Sequence, residues 1–185
     1  FPYTTLFRSG GDLADFEFKA EINLEGPRAN SGIQFRALML GKTDKVRSEW
    51  ESFGYQADLD FTNEQTGALI ECCSGPRRAP TPRPYRARAG MSLQVTSAAP
   101  GAGVLLGTTG DAAALKAAIN VGGWNRMHVV VRGHAMFYYL NGRLMSSVVD
   151  EDPARFLSHG RLLIQLEGAG DRKVAYRNMW LKTYK

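Results

Sequence analysis

Residues 54–60 read GYQADLD. As a strand, this segment sends Gln56, Asp58 and Asp60 to one face and Tyr55, Ala57 and Leu59 to the other, because side chains alternate with period two. A carboxamide and two carboxylates in line can do acid–base chemistry. They can also seat a hard cation such as calcium on Asp58 and Asp60, or pair with the hydroxyls of a polyhydroxylated ligand. The same parity in GRLLIQLEG (160–168) puts Gln165 and Glu167 opposite Leu162, Ile164 and Leu166. In GIQFRA (32–37) it puts Gln34 and Arg36 opposite Ile33 and Phe35. If these strands are neighbours, the amides, carboxylates and Arg36 form one polar patch. Trp50, Trp124, Tyr55, Tyr85 and Tyr138 are available as platforms for sugar faces, although each also suits a core or rim position.

Other chemistries find no support. The chain has no H-E-x-x-H, C-x-x-C, P-loop, GxGxxG or G-x-S-x-G pattern, and His128, His134 and His159 are scattered. Carboxylate acid–base work is what remains. The only cysteines, Cys72 and Cys73, are adjacent, which argues for two reduced thiols and against a disulfide scaffold.

The elements that must position these residues are mostly strands. DFEFKAEINLE (15–25) alternates without a break, GIQFRALML (32–40) and residues 53–61 continue the pattern, and GALIECC (67–73) adds a fourth strand. The stretch 75–90, GPRRAPTPRPYRARAG, is too rich in proline for a central strand and reads as a solvated excursion over the surface. SLQVTS (92–97) can return to the sheet. DAAALKAAIN (111–120) is the one convincing helix, with Asp111 as its cap. From Trp124 onward the strand signal is strongest, with a hairpin whose Asn141-Gly142 pair supplies positive φ, and with strands at 160–168 and 173–185. Short alternating strands with almost no helix predict an all-β jelly-roll sandwich of two antiparallel sheets with one short helix. Its polar outer face would form an open groove.

A chain of 185 residues is long enough for one domain. No apolar run approaches the ~20 residues of a membrane span. The net charge of +5 is concentrated in the arginines of 75–90, and no nucleic-acid-binding motif accompanies it, so nucleic acid is not the expected partner. FPYTTLFRS (1–9) reads as a translated sequencing-adapter oligonucleotide and is set aside, leaving 10–185 as a single domain.

ANSGIQFR (29–36), GYQADLD (54–60), TGALIE (66–71), GGWNRMHVVVRG (122–133), YLNG (139–142), GRLLIQLEG (160–168) and VAYRNMWLK (174–182) follow one another in the order of the 3-keto-disaccharide hydrolase domain family, which the chain resembles from about residue 13 to its end. The resemblance implies a concanavalin A-like sandwich, found in exported bacterial proteins or lipoproteins and hence in the periplasm or outside the cell. Its activity would be cleavage of glycosides already oxidised to a ketone at C3. By position, Arg36 would bind substrate or the enolate oxygen, Gln56 and Asp58 match a Q-x-D strand with Asp58 as base or metal ligand, and Gln165 matches an L-Q motif. Asn125 and Asn141 match asparagines that hold turns. Where many relatives carry histidine, this chain has Glu167. The expected site is thus Asp58 and Glu167 for chemistry, with Arg36, Gln56, Asp60, Gln165 and Trp124 binding a carbohydrate. The alternatives are a glycan-binding module without turnover and an ordinary glycoside hydrolase acting on unoxidised polysaccharide. The latter lacks an E-x-D-x-x-E motif here.

Overall fold

The computed structural model describes residues 4–8, 11–41, 51–73, 81–99, 103–167 and 171–184. Thirteen strands and one helix are assigned among them: β1 Thr4–Arg8, β2 Phe16–Glu25, β3 Asn30–Met39, β4 Ser52–Asp60, β5 Leu69–Cys72, β6 Arg86–Ala87, β7 Met91–Val95, β8 Gly103–Thr108, α1 Ala112–Ala117, β9 Asn125–Arg132, β10 Ala135–Leu140, β11 Arg143–Asp150, β12 Arg161–Glu167 and β13 Lys173–Thr183. They form a six-stranded sheet in the order β1-β12-β3-β4-β5-β6 and a seven-stranded sheet in the order β13-β2-β9-β10-β11-β7-β8. This is the jelly-roll sandwich predicted from the alternation. Every pairing is antiparallel except β11 with β7.

The inward parity of each strand builds the core. Phe16, Phe18, Ala20 and Ile22 of β2 face Ile33 and Phe35 of β3 and Tyr55 and Ala57 of β4, with Phe16 against Phe35 at 5.9 Å and Phe35 against Tyr55 at 5.8 Å between ring centroids. Burying each large apolar side chain contributes about 1.5–3 kcal/mol. The helix begins where Asp111 accepts a bond from Ala114 N at 2.8 Å. At the β10–β11 turn, Asn141 and Gly142 have φ of 51° and 80°. Asn141 Oδ1 accepts from Arg126 N and its Nδ2 donates to Ala118 O, while Asn125 ties Asn120 and Gly123, so both asparagines hold turns.

Several expectations need correction. Thr4–Arg8 pairs with β12, so the folded sheet begins before residue 10. β8 has no counterpart in the sequence reading. The arginine-rich excursion is not a solvated loop throughout, because Arg83 is fully buried and β6 returns to pair with β5. Its guanidinium binds Glu71 Oε1 at 2.5 Å, Asp150 Oδ1 at 2.9 Å and Asp152 Oδ2 at 3.2 Å, and the Tyr55 hydroxyl also donates to Asp150. The sulfur atoms of Cys72 and Cys73 are placed against each other at the end of β5. Tyr55, Tyr85 and Tyr138 are core residues rather than platforms, and Trp50 lies outside the described residues.

Candidate functional site

The outward face of the six-stranded sheet carries the polar residues in three cross-strand rows, since partners in register share a face. Asp58, Gly32 and Gln165 form one row; Gln56, Gln34 and Leu163 form the next; Asp60, Asn30 and Glu167 form the third. Asp58, Gln56 and Gln165 therefore share one side of the sheet, and Glu167 stands two register positions beyond Gln165 on β12. From Asp58 to Glu167 the sheet spans two strand spacings, about 9.5 Å, and two residues, about 7 Å, along the strands.

The centre of the face is a carboxamide pair. Gln56 Nε2 donates to Gln165 Oε1 at 2.8 Å and reaches Asp58 Oδ1 at 3.3 Å. The Gln56 side chain passes over Gly32, where a Cβ would meet Ala57 O at 2.7 Å and Gln56 Cγ and Nε2 at 3.0 Å. Only glycine leaves that path open. Cys73 Sγ closes one side, 3.5 Å from Gln165 Nε2 and 3.4 Å from Gln56 Oε1. Gln34 Nε2 donates to Cys72 O at 2.6 Å. Ser31, on the inward parity, donates to Gln165 O at 2.5 Å and meets Tyr176 OH at 2.9 Å, anchoring β12 to the opposite sheet.

Contrary to the expectation of an open groove, Gln56 is 2% exposed and Asp58 4%. That burial controls the electrostatics. Desolvation pushes the Asp58 carboxyl up to about 7, against the opposing pull of hydrogen bonds from Gln56 and Leu59 N and of the Arg86 charge. A carboxylate that titrates near neutrality is poised as a proton acceptor. Arg86, on β6 opposite Ile70, is a cation whose charge acts on Asp58. It was not singled out in the sequence because it was counted with the arginines of 75–90. Among the described residues Asn30 Oδ1 is buried without a partner, in the row that holds Glu167. Such an acceptor is a seat for a ligand hydroxyl.

Asp60 behaves differently. Its Oδ1 accepts from Gln65 N at 2.8 Å, Thr66 N at 2.9 Å and Thr66 Oγ1 at 3.1 Å, and its Oδ2 from Glu64 N at 3.2 Å and from the Thr62 hydroxyl. Desolvation would raise its pKa, but these bonds outweigh it and hold the carboxyl below its ordinary value. It organises the turn at 62–66. The donors converging on it present their positive ends where a cation would sit, so a calcium ion shared by Asp58 and Asp60 does not fit. Among the described residues no cluster of three or more His, Cys, Asp or Glu has a metal-holding arrangement.

Arg36 and Trp124 are not brought to this face. A bulge interrupts the β3–β4 register between Phe35 and Leu38, and Arg36 adopts φ 47°, which turns its side chain off the polar parity. The guanidinium is 1% exposed and donates to Ala14 O at 3.1 Å, Leu157 O at 3.1 Å and Asp15 Oδ1 at 3.2 Å. Gly160 makes room for the bulge, since a Cβ there would lie 2.4 Å from the Arg36 carbonyl carbon. Trp124 precedes β9 in the other sheet and carries the Arg177 guanidinium 4.0 Å above its ring.

The sequence profile of the family described as the 3-keto-alpha-glucoside-1,2-lyase-like domain matches residues 3–182. Among solved structures, carbohydrate-binding module CBM66 from Bacillus subtilis superposes with a TM-score of 0.50 at 13% identity, covering 98% of this chain and 95% of that one. A candidate glycosyl hydrolase from Parabacteroides distasonis superposes with a TM-score of 0.53 at 14% identity, covering 96% of this chain and 82% of that one. At these identities the likeness is one of fold. A search of curated proteins returns no match.

Proposed function

Because the chain belongs to the 3-keto-alpha-glucoside-1,2-lyase-like domain family, we propose that it cleaves glycosidic bonds of 3-keto-glycosides, with Asp58 as the base. The observation that carries this reading is the buried Asp58 carboxyl, titrating near 7 beside the Gln56–Gln165 carboxamide pair. A ketone at C3 acidifies the C2 proton. Asp58 takes that proton, the electron pair moves onto the C3 oxygen as an enolate, and collapse of the enolate expels the glycosidic oxygen from C1. The leaving oxygen takes a proton, a role we assign to Glu167, which stands on β12 two strands from Asp58. Water then adds across the C1–C2 double bond to complete hydrolysis.

With Arg36 committed to Ala14, Asp15 and Leu157, the enolate is stabilised by other groups. Arg86 brings a positive charge at the edge of the face that favours the enolate. The free Asn30 carbonyl accepts a substrate hydroxyl. Asp58 is 4% exposed, so substrate entry has to open this face. Inside, the low dielectric strengthens every polar contact. The family and the chemistry fit an exported protein acting in the periplasm or outside the cell. Among the described residues no helix is long and apolar enough to cross a membrane.

The test is incubation with 3-keto-disaccharides and with their unoxidised parents. Release of 3-keto-sugar from the former alone supports the reading. Binding of either without release, across several substrates, would instead favour a glycan-binding module, the second reading that Glu167 in the family's histidine position invites. Cleavage of the unoxidised parents would point to an ordinary glycosidase.

A further inference from the structure

The outward face of the seven-stranded sheet carries a second constellation, unrelated to Asp58. Register aligns Trp180 of β13, Lys19 of β2, His128 of β9 and Tyr139 of β10 in a single cross-strand row. The His128 and Tyr139 rings are stacked at 5.4 Å, the Lys19 ammonium lies 5.1 Å over the Trp180 ring, and Trp180 is 45% exposed. Three strand spacings make this shelf about 14 Å long. Beside it runs a second row, Arg177, Glu21 and Arg126. Between the rows lies a depression of about 430 Å³ lined by Lys19, Glu21, Arg126, His128, Tyr139 and Asn178, among others.

Two details show that the depression is built. The β13 register breaks between Arg177 and Trp180, and Asn178 takes φ 51°, which aims its amide into the depression, 3.3 Å from Glu21 Oε2. The charges are also unequally used. Glu21 is held by Arg177 Nε at 2.5 Å, and Glu17 by His128 at 3.2 Å, by Lys19 at 3.9 Å and by the Tyr184 hydroxyl. Exposed Arg126, in contrast, has no ion pair among the described residues.

Aromatic rings in a line offer apolar contact to successive sugar rings, and an unspent guanidinium beside them suits a carboxylate. We propose that this face is a second carbohydrate-binding site for an extended acidic oligosaccharide, whose rings pass along Trp180 and the stacked His128–Tyr139 pair and whose uronate carboxylate meets Arg126. The site does not depend on the chain being a lyase. It would hold the protein on an acidic polysaccharide while the other sheet remains free.

The experiment is calorimetric titration of the whole chain with a short oligogalacturonate and with a neutral cello-oligosaccharide of equal length. Expected is binding of the acidic ligand, weakened about tenfold or more by Arg126→Glu and by Trp180→Ala, unchanged by Asp58→Asn, with the neutral ligand much weaker. Arg126 is exposed and its variant keeps the fold, which the melting temperature verifies, so a folding defect in the Trp180 variant leaves the test intact. Equal affinity of Arg126→Glu and the parent, equal binding of both ligands, or binding only to vesicles of an anionic phospholipid would each overturn the proposal.

Discussion

Gln56 crosses over Gly32 to donate to Gln165 Oε1 at 2.8 Å, linking β4 to β12 above the strand that separates them. The link exists because position 32 has no side chain. Gly32→Ala would place its Cβ 2.7 Å from the Ala57 carbonyl oxygen, a backbone atom that cannot move aside cheaply. We expect a loss of about 1–3 kcal/mol in stability, together with loss of turnover as Gln56 is displaced. Urea denaturation and steady-state rates on a 3-keto-disaccharide measure the two effects separately.

Asp58 opposes folding when ionised. Its carboxyl titrates near 3.8 when unfolded and near 7 when folded, so the folded state binds the extra proton between those values. The associated stability is complete below about pH 4 and is lost as pH rises through 7. At about 1.4 kcal/mol per unit, the swing is on the order of 4 kcal/mol. Asp58→Asn should remove this slope and raise the melting temperature at pH 8 by about 2–4 °C for each kcal/mol relieved. Thermal melts of both proteins from pH 4 to 8 check this; parallel curves would show that Asp58 is not buried as a carboxyl.

Arg83 is the hub of the buried ionic cluster at one end of the sandwich. Arg83→Met would strand Glu71 and Asp150 in the interior and should cost about 3–5 kcal/mol. Arg88, exposed five residues on, should tolerate the same change within about 0.5 kcal/mol. Urea midpoints of the two variants compare them directly.

Arg36 distinguishes positioning of loops from binding of substrate. Its three hydrogen bonds tie Ala14, Asp15 and Leu157. Arg36→Gln should therefore lower stability by about 1.5–3 kcal/mol while leaving KM for a 3-keto-disaccharide within about twofold. A large rise in KM without loss of stability would return Arg36 to the binding role that the family motif suggests.

Alternation made much of this molecule legible. The parity of GYQADLD and GRLLIQLEG placed Gln56, Asp58 and Gln165 on one face, and the sheet order brought the strands to either side of β3. Period-two patterning could not foresee the bulge at Arg36, because one extra residue reverses every side chain beyond it. Nor could composition divide the arginines of 75–90 into buried Arg83 and exposed Arg86, since burial of a charge depends on Glu71, Asp150 and Asp152 arriving from distant strands. Asp60 looked like its neighbour Asp58 in sequence. The turn at 62–66, whose amides point back at it, made it structural. Trp124 followed β9 into the other sheet, where register with β2 and β13 also assembled the Trp180–Tyr139 row from four strands that no local pattern connects.

The most direct measurement of the central claim is kcat/KM on a 3-keto-disaccharide as a function of pH, for the parent protein and for Asp58→Asn. If Asp58 removes the C2 proton, the rate rises with pH through an inflection near 7, and the variant loses about 100-fold or more at pH 8 with that inflection gone. Undiminished turnover by Asp58→Asn, or a parent profile flat from pH 5 to 8, would contradict it.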